Sequence, residues 1–541
     1  MIQFKNNIHK KYIQSIYKMS KRADLATMVG ISAAESQSQR VETRLIEPRS
    51  FSQTQATFEL PQEGILSSDV ALQIQLTTAE SNANERMDLP LFAGILGCID
   101  RAELFFGTTL ISSVEELGHL IQMKNCFVDQ DIRDQTHNVY LGAFSGMKTV
   151  DGGPGGGGNG WGQYALNALN TVPTGGTEAS QGVLGLVETA VNDCNKLQHF
   201  RTTGTTPASG LNTPFWCIKL KEIFPVLKQI PLPLFALKER IRFVFHFTQD
   251  LVGNRAVAVK TNGISPALLP FVGGGATIAT GNLIVQSTLK LSTDLIYYED
   301  QPGIPSPMMR IQEELEKGAN LVMTDYVSVF NTIPALVVPA GTKQSQTLST
   351  LLGLDHQIVR NILIATPPSP DFAAGAPANR ILGNYLSKGS NDQTVLQVSI
   401  NNENIFPSPL NTTAKLYNEL SQVGDQPLKV NRGLYSSNGQ TSGAGAYPIV
   451  VYDAAFSANQ GTQGNINSEF NFALNYLGIN LAKDATENYV GNGIQIGRQP
   501  VIVTLTRDRV PTEQNQLRVL YWAECERMMM IKSGNIFMSG Q

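Results

Sequence analysis

Ile241-Arg242-Phe243-Val244-Phe245-His246-Phe247 places an apolar side chain at every odd position, with Arg242, Val244 and His246 between them. Successive side chains of a strand point to opposite faces, so this pattern describes a strand packed on one side. The same period recurs in Leu72, Ile74 and Leu76 against Gln73, Gln75 and Thr77, and in Leu396, Val398 and Ile400 against Gln397 and Ser399. Val501-Ile502-Val503-Thr504-Leu505-Thr506 is almost wholly β-branched. These runs are bounded by Gly, Pro and Asn clusters, as in antiparallel sheets with one packed face. Helical spacing is confined to short stretches around Ser113–Leu120, Lys219–Leu227 and Met308–Lys317. Many strands with few helices predict an all-β chain built of sandwiches rather than alternating β-α units.

The chain has 541 residues, of which 16% are charged and 42% hydrophobic, with a formal net charge of −4. Soluble domains average about 25% charged residues, so this one is charge-poor. Its length suits two large all-β domains. The strongest break is Asp300-Gln301-Pro302-Gly303-Ile304-Pro305-Ser306-Pro307, which separates ordered pieces of about 255 and 240 residues, each the size of a jelly roll with insertions. Gly152–Gly160 opens a low-complexity stretch running to about Pro214, and a second extends from Gly424 to Gly464. Both read as surface loops.

Several classes of function are excluded. No run of 18 apolar residues occurs; Ile333–Gly341 and Pro231–Leu237 are too short to span a bilayer. Lys5, Asn6, Asn7, Lys10 and Lys11 interrupt the first apolar residues, unlike a secretory signal, and Met19 offers an alternative start. The five cysteines, Cys98, Cys126, Cys194, Cys217 and Cys525, form no Cys-x-x-Cys pair and read as reduced thiols of an intracellular protein. No Gly-Lys dipeptide exists, so Gly152–Gly160 is not a phosphate-binding loop. Among His9, His119, His137, His199, His246 and His356 there is no His-Glu-x-x-His, and there is no Gly-x-Ser-x-Gly elbow. His246 reads as structural. The carboxylate pairs Glu115/Glu116, Glu313/Glu314 and Glu524/Glu526 are the remaining acid–base candidates, with Glu313 and Glu314 on a solvated helix face beside Lys317.

Charge is segregated. Residues 1–23 contain Lys5, Lys10, Lys11, Lys18, Lys21 and Arg22 and no acidic residue. Removing those six from 41 basic residues leaves 35 against 45 acidic ones, so the body is near −10. Ile8, Tyr12, Ile13, Ile16 and Tyr17 fall at helical spacing opposite the lysines. A basic arm on an acidic body suits an anionic partner for the arm alone, and no sequence-reading nucleic-acid module is present.

The remaining signatures, taken in order, resemble the double jelly-roll major capsid proteins of polinton-like viruses and virophages, in the adenovirus-type lineage. Gly94–Gly107 with Leu110-Ile111 and Glu115–Leu120 is similar to an early strand pair. Phe215–Phe247, through Leu220–Leu227 and Ile230–Phe235, is similar to the end of the first roll's long crossover. Val359–Ile364, Leu396–Asn401 with Ile405-Phe406-Pro407, Tyr417–Leu420, Tyr476–Leu481, Gly491-Asn492-Gly493 and Leu517–Ile531 continue through a second roll. The resemblance spans roughly residues 45–541.

It implies two consecutive eight-stranded jelly rolls: an arm at 1–44, a first roll at 45–300 and a second at 301–541. It also implies a structural, non-enzymatic protein without cofactor or metal. Such a chain forms a homotrimer, a pseudo-hexameric capsomer that tiles an icosahedral shell and meets neighbouring capsomers and penton or minor capsid proteins. It is made in the host cell and resides in the virion. The insertions at 150–214 and 424–464 would face outward, and Lys5, Lys10, Lys11, Lys18, Lys21 and Arg22 would face genome or an inner membrane without specificity. Leu232, Leu234 and Phe235 are candidate subunit-interface residues, with an intramolecular core as their other role. Trp161 is a further interface candidate. Met538-Ser539-Gly540-Gln541 resembles the residues before an adenovirus-type maturation cleavage. A virion turret or attachment protein and a carbohydrate-active β-sandwich are the competing readings.

Overall fold

A computed structural model describes residues 39–76, 85–88, 94–125, 141, 199–200, 215–229, 232–247, 258–261, 284–299, 306–340, 342, 344–355, 357–366, 394–423, 435–437, 472–474, 476–482, 493–509 and 516–538. The period-2 segments form strands as expected, and they assemble into two sandwiches with the same plan.

The first sandwich uses β1 (Gln39–Ile46), β2 (Gln55–Glu59), β3 (Ala71–Gln75), β4 (Ile99–Phe106), β5 (Thr109–Glu115), β6 (Phe215–Lys219), β7 (Ile241–Phe247) and β8 (Lys290–Tyr298). One sheet runs β1-β8-β3-β6. The facing sheet runs β2-β7-β4-β5, with Ser50–Ser52 added beyond β2. The second sandwich uses β9 (Ala319–Ile333), β10 (Gln344–Leu352), β11 (Ile358–Ala365), β12 (Thr394–Ile400), β13 (Glu403–Asn404), β14 (Tyr476–Asn480), β15 (Val501–Arg509) and β16 (Leu517–Lys532). Its sheets run β9-β16-β11-β14 and β10-β15-β12-β13. Numbering each roll's strands one to eight gives the order 1-8-3-6 facing 2-7-4-5 in both, the closed Greek-key pattern of a jelly roll. Every named pairing is antiparallel. No described sheet mixes strands from before Tyr298 with strands from after Ala319. A last strand, β17 (Asn535–Met538), folds back on β16.

Burial follows the alternation. Ile241, Phe243, Phe245 and Phe247 are buried, while Arg242 and His246 are half-exposed. Phe243 packs against Phe245 and Phe224, with ring centroids 6.4 and 5.8 Å apart, and Phe58 meets Phe245 edge-on at 6.0 Å. Such aromatic pairs add about 0.5–1.5 kcal/mol each beyond their buried area. Residues 39–44, grouped with the basic arm in the sequence reading, form most of β1 and pair with β8.

The helices are short connectors. The stretch Ser113–Leu120, expected to be helical, divides: Ser113–Glu115 completes β5, and α1 (Leu117–Asn125) follows. α2 (Leu220–Ile223) and α3 (Pro225–Gln229) occupy the expected Lys219–Leu227 region, and α4 (Pro307–Lys317) the Met308–Lys317 region. α5 (Thr413–Ser421) is capped by Thr412 Oγ1, which accepts the Lys415 N–H. α5 packs on β14 so closely that a Cβ at Gly478 would lie 2.8 Å from Leu420 and Val423.

The connections sort to two ends. The segments after Leu76, before Phe215 and before Ile284 attach where Gln75 pairs with Phe215 and Leu76 with Ile284. In the second roll, those after Thr366 and after Arg509 attach at the matching end, where Ala365 pairs with Leu520. The entry to β1, the link between rolls and the β16–β17 turn lie at the other end. Apart from short strands such as His199–Phe200 and Tyr435–Ser437, the insertions at 150–214 and 424–464 lie outside the described residues, as do Trp161 and Ser539–Gln541.

Candidate assembly site: the seam between the rolls

The outermost strand of the first roll's second sheet, β5, meets the outermost strand of the second roll's first sheet, β9. The two strands form no backbone ladder with each other among the described pairings, but their approach covers two sheet edges. Side chains fill the join. Ser112 Oγ on β5 donates to Asp325 Oδ1 on β9 at 2.6 Å. Arg527 Nη1, on β16, donates to Asp325 Oδ2 at 2.6 Å. Asp325 is 1% exposed, and burial pushes its carboxyl above the ordinary range, against the lowering pull of Ser112 and Arg527.

The second contact is built on Glu116. Its backbone adopts a left-handed conformation (φ 51°), costly for a non-glycine residue. That conformation turns the chain from β5 into α1, where the His119 and Leu120 N–H groups donate to the Glu116 carbonyl. The same residue sends its carboxylate across the seam to Arg518 Nη1 at 2.6 Å, and the Arg518 guanidinium lies 5.0 Å over the Phe330 ring. Beside it, Trp522 Nε1 donates to the Glu115 carbonyl at 3.0 Å, and Lys124 Nζ on α1 donates to the Tyr326 hydroxyl at 2.5 Å. At the end holding the inter-roll link, the Lys238 N–H donates to the Gly534 carbonyl at 2.9 Å.

The sequence-predicted residues fall as follows. Leu232 and Leu234 are buried within the chain, Leu232 bridging to Leu66, so the intramolecular role accounts for both. Phe235 is half-buried against the same core and retains some free surface. Lys5, Lys10, Lys11, Lys18, Lys21 and Arg22 lie outside the described residues. Glu115 and Glu116 belong to the seam. Glu314 pairs with Lys317 at 2.5 Å on a solvated helix face, and Glu524 accepts from Asn361 at 2.7 Å. His246 Nε2 sits 3.1 Å from Glu103 and 3.1 Å from Arg101, a surface lattice rather than a reactive centre. No group of three or more His, Cys, Asp and Glu side chains suited to a metal occurs among the described residues. No described helix is long and apolar enough to cross a membrane. Burial pushes the Cys98, Cys217 and Cys525 thiols up, which makes them less reactive.

Sequence reasoning missed Ser112, Asp325, Arg518, Trp522 and Arg527. A charged residue within an apolar strand (Asp325 in Met323–Val327) is the signal that marks one of them.

No protein-family model matches the chain, and a comparison with curated proteins finds no match. Solved structures do match. A chain of the Sputnik virophage, from its 3.5 Å cryo-EM structure, is 13% identical, with a TM-score of 0.53 over 92% of this chain and 88% of that one. The PBCV-1 virus capsid model gives 11% identity and 0.49 over 93% and 97%, and the mavirus major capsid protein 10% and 0.45 over 92% and 90%. The double jelly-roll fold is therefore that of a virophage particle protein, as the sequence resemblance implied.

Proposed function

We propose that the chain is the major capsid protein of an icosahedral virus, a non-enzymatic building block that acts by self-association. One observation carries the reading: two successive jelly rolls with identical strand order are locked edge to edge by a buried seam, in the fold of a virophage particle chain. A unit made of two matched rolls supplies six sectors when three copies meet, and six sectors can occupy a pseudo-hexagonal lattice position.

In this reading the first roll comprises residues 45–300 with β1 added from 39, and the second residues 301–541. The homotrimer meets neighbouring capsomers and penton or minor capsid proteins in the virion. The arm bearing Lys5, Lys10, Lys11, Lys18, Lys21 and Arg22 lies inside, against genome or an inner membrane. Phe235 is the interface candidate retained from the apolar Pro231–Phe235 run. Sedimentation velocity and negative-stain microscopy of the purified full chain test the proposal. Trimers of hexagonal outline are expected. A stable monomer that forms neither trimers nor shells would overturn it.

A further inference from the structure

We propose that Glu524, Glu526 and the side-chain oxygen of Asn361 form a binding site for a calcium ion, on the sheet that carries the seam. The site is independent of the capsid reading, and it departs from the metal-free expectation attached to the family resemblance.

Register brings the three side chains together. Asn361 on β11 lies directly opposite Glu524 on β16, and Tyr326 on β9 lies opposite Glu524 from the other side. Side chains alternate along a strand, so Glu526 and Trp522, each two residues from Glu524, share its face. Asp325, Cys525 and Arg527 belong to the other face.

The row holds more negative charge than its neighbours answer. Glu524 is half-buried, and among the described residues it has the hydrogen bond from Asn361 Nδ2 at 2.7 Å and no ion pair. The Glu526 side chain is 8% exposed and faces Arg360 Nε across 3.9 Å, beyond hydrogen-bond reach. Arg360 is the extra residue of a bulge between Val359 and Asn361. Lys124, reaching the row from the first roll, donates to the Tyr326 hydroxyl. Asn361 is 5% exposed, and its Oδ1 is buried without a hydrogen-bond partner among the described residues. That oxygen shares a carbon with the Nδ2 bonded to Glu524, which keeps it beside the carboxylate.

A buried acceptor with nothing to accept is destabilising, and so is a half-buried carboxylate without a counter-charge. One cation answers both. Calcium takes about six to eight oxygen ligands in flexible geometry, carboxylates through one or both oxygens and amide carbonyls among them. The three side chains supply most of that set and water the rest. Magnesium demands a near-ideal octahedron, which side chains fixed on two neighbouring strands do not offer. Because the third ligand is an amide, no trio of acidic, thiol or imidazole side chains marks the place.

The test uses terbium(III), which occupies calcium sites and luminesces when an excited Trp or Tyr close by passes energy to it. Trp522 and Tyr326 share the face of the site. Terbium added to the purified full chain is expected to luminesce on excitation of the aromatic side chains, and calcium is expected to displace it where an equal concentration of magnesium does not. Calcium at ten times its Kd should raise the melting temperature by about 3–6 °C. Glu524→Gln should keep the metal-free melting temperature and bind calcium at least tenfold more weakly; should it fail to fold, Glu526→Gln carries the same comparison. Glu313→Gln/Glu314→Gln, which neutralises an acidic pair elsewhere, should leave binding unchanged. An unaltered chain without luminescence that calcium displaces would overturn the inference. So would a folded Glu524→Gln or Glu526→Gln chain that binds calcium as tightly as the unaltered one, or an equal loss in the Glu313→Gln/Glu314→Gln control.

Discussion

The two rolls share strand order yet present different chemistry on corresponding outward faces. On β4 and β7 of the first roll, Arg101 lies 3.2 Å from Glu103 and 3.7 Å from Glu115, while Arg242 stacks 4.8 Å over Phe105. Glu59 on β2 holds both Arg49 and Arg240. On the equivalent sheet of the second roll, β10 and β15 carry hydroxyls instead: Thr347 meets Thr506 at 2.9 Å, Ser349 meets Thr504 at 3.1 Å, and Leu351 stays exposed. One face is a lattice of ions and the other a nearly uncharged ladder. The topology is therefore set by the inward-facing positions, and the outward ones are free to differ.

The largest expected effect separates the rolls. Trp216 and Trp522 are both fully buried, and replacing either by alanine should cost about 3–5 kcal/mol. Trp216→Ala leaves the seam intact and should lower a single calorimetric transition. Trp522→Ala also removes a seam hydrogen bond and should split the melt into two. A single transition in both variants would show that the rolls remain coupled without Trp522.

Arg527→Met comes next, because it strands Asp325 in a dry site; losing one partner of a buried pair costs about 3–5 kcal/mol. The sign with pH follows from the raised Asp325 carboxyl: a group raised on folding contributes stability below its unfolded value and loses it as pH rises through the folded one. Removing the arginine raises it further, so the variant's deficit should shrink on going from pH 7 to pH 5 in chemical denaturation. A deficit that grows over that interval would rule this account out.

Gly534→Val should cost about 1–3 kcal/mol, since φ is +75° and a Cβ would lie 2.8 Å from the Ala236 carbonyl. Deuterium exchange should rise at the Lys238 amide. The smallest effect belongs to the outward faces. Glu103→Gln should change stability by less than about 1 kcal/mol and lose even that in high salt. A Thr506→Val change on the ladder should be salt-insensitive. Equal salt response in both would erase the contrast between the faces.

Where one face of a strand is buried and the other wet, the sequence displays the fact directly. Ile241–Phe247, Leu396–Ile400 and Val501–Thr506 are such strands. β9 and β16 escape that pattern at the seam, where both faces are covered: Leu520, Tyr521, Trp522 and Ala523 are buried in succession. β1 was hidden for the opposite reason, since an edge strand with Arg40, Glu42 and Arg44 looks like a continuation of the basic arm. The strand-to-helix switch at Glu116 depends on one left-handed residue, which no hydrophobic period reports. The seam itself joins residues more than 200 positions apart, and pairing at that range leaves no local signature.

The seam also has a history within each molecule. Its first-roll half, Ser112 to Lys124, is synthesised about 390 residues before the Leu517–Lys532 strand that completes it. At about 5–20 residues per second that delay is roughly 20–80 s. During it, the seam lacks Arg518, Trp522 and Arg527, and for the first half of it β9 as well, so the β5 edge is a surface that chaperones or another nascent chain can reach. A ribosome that stalls before Leu517 releases a chain with a finished first roll and an open edge. Joining the two rolls thus doubles as a test that translation has run nearly to its end.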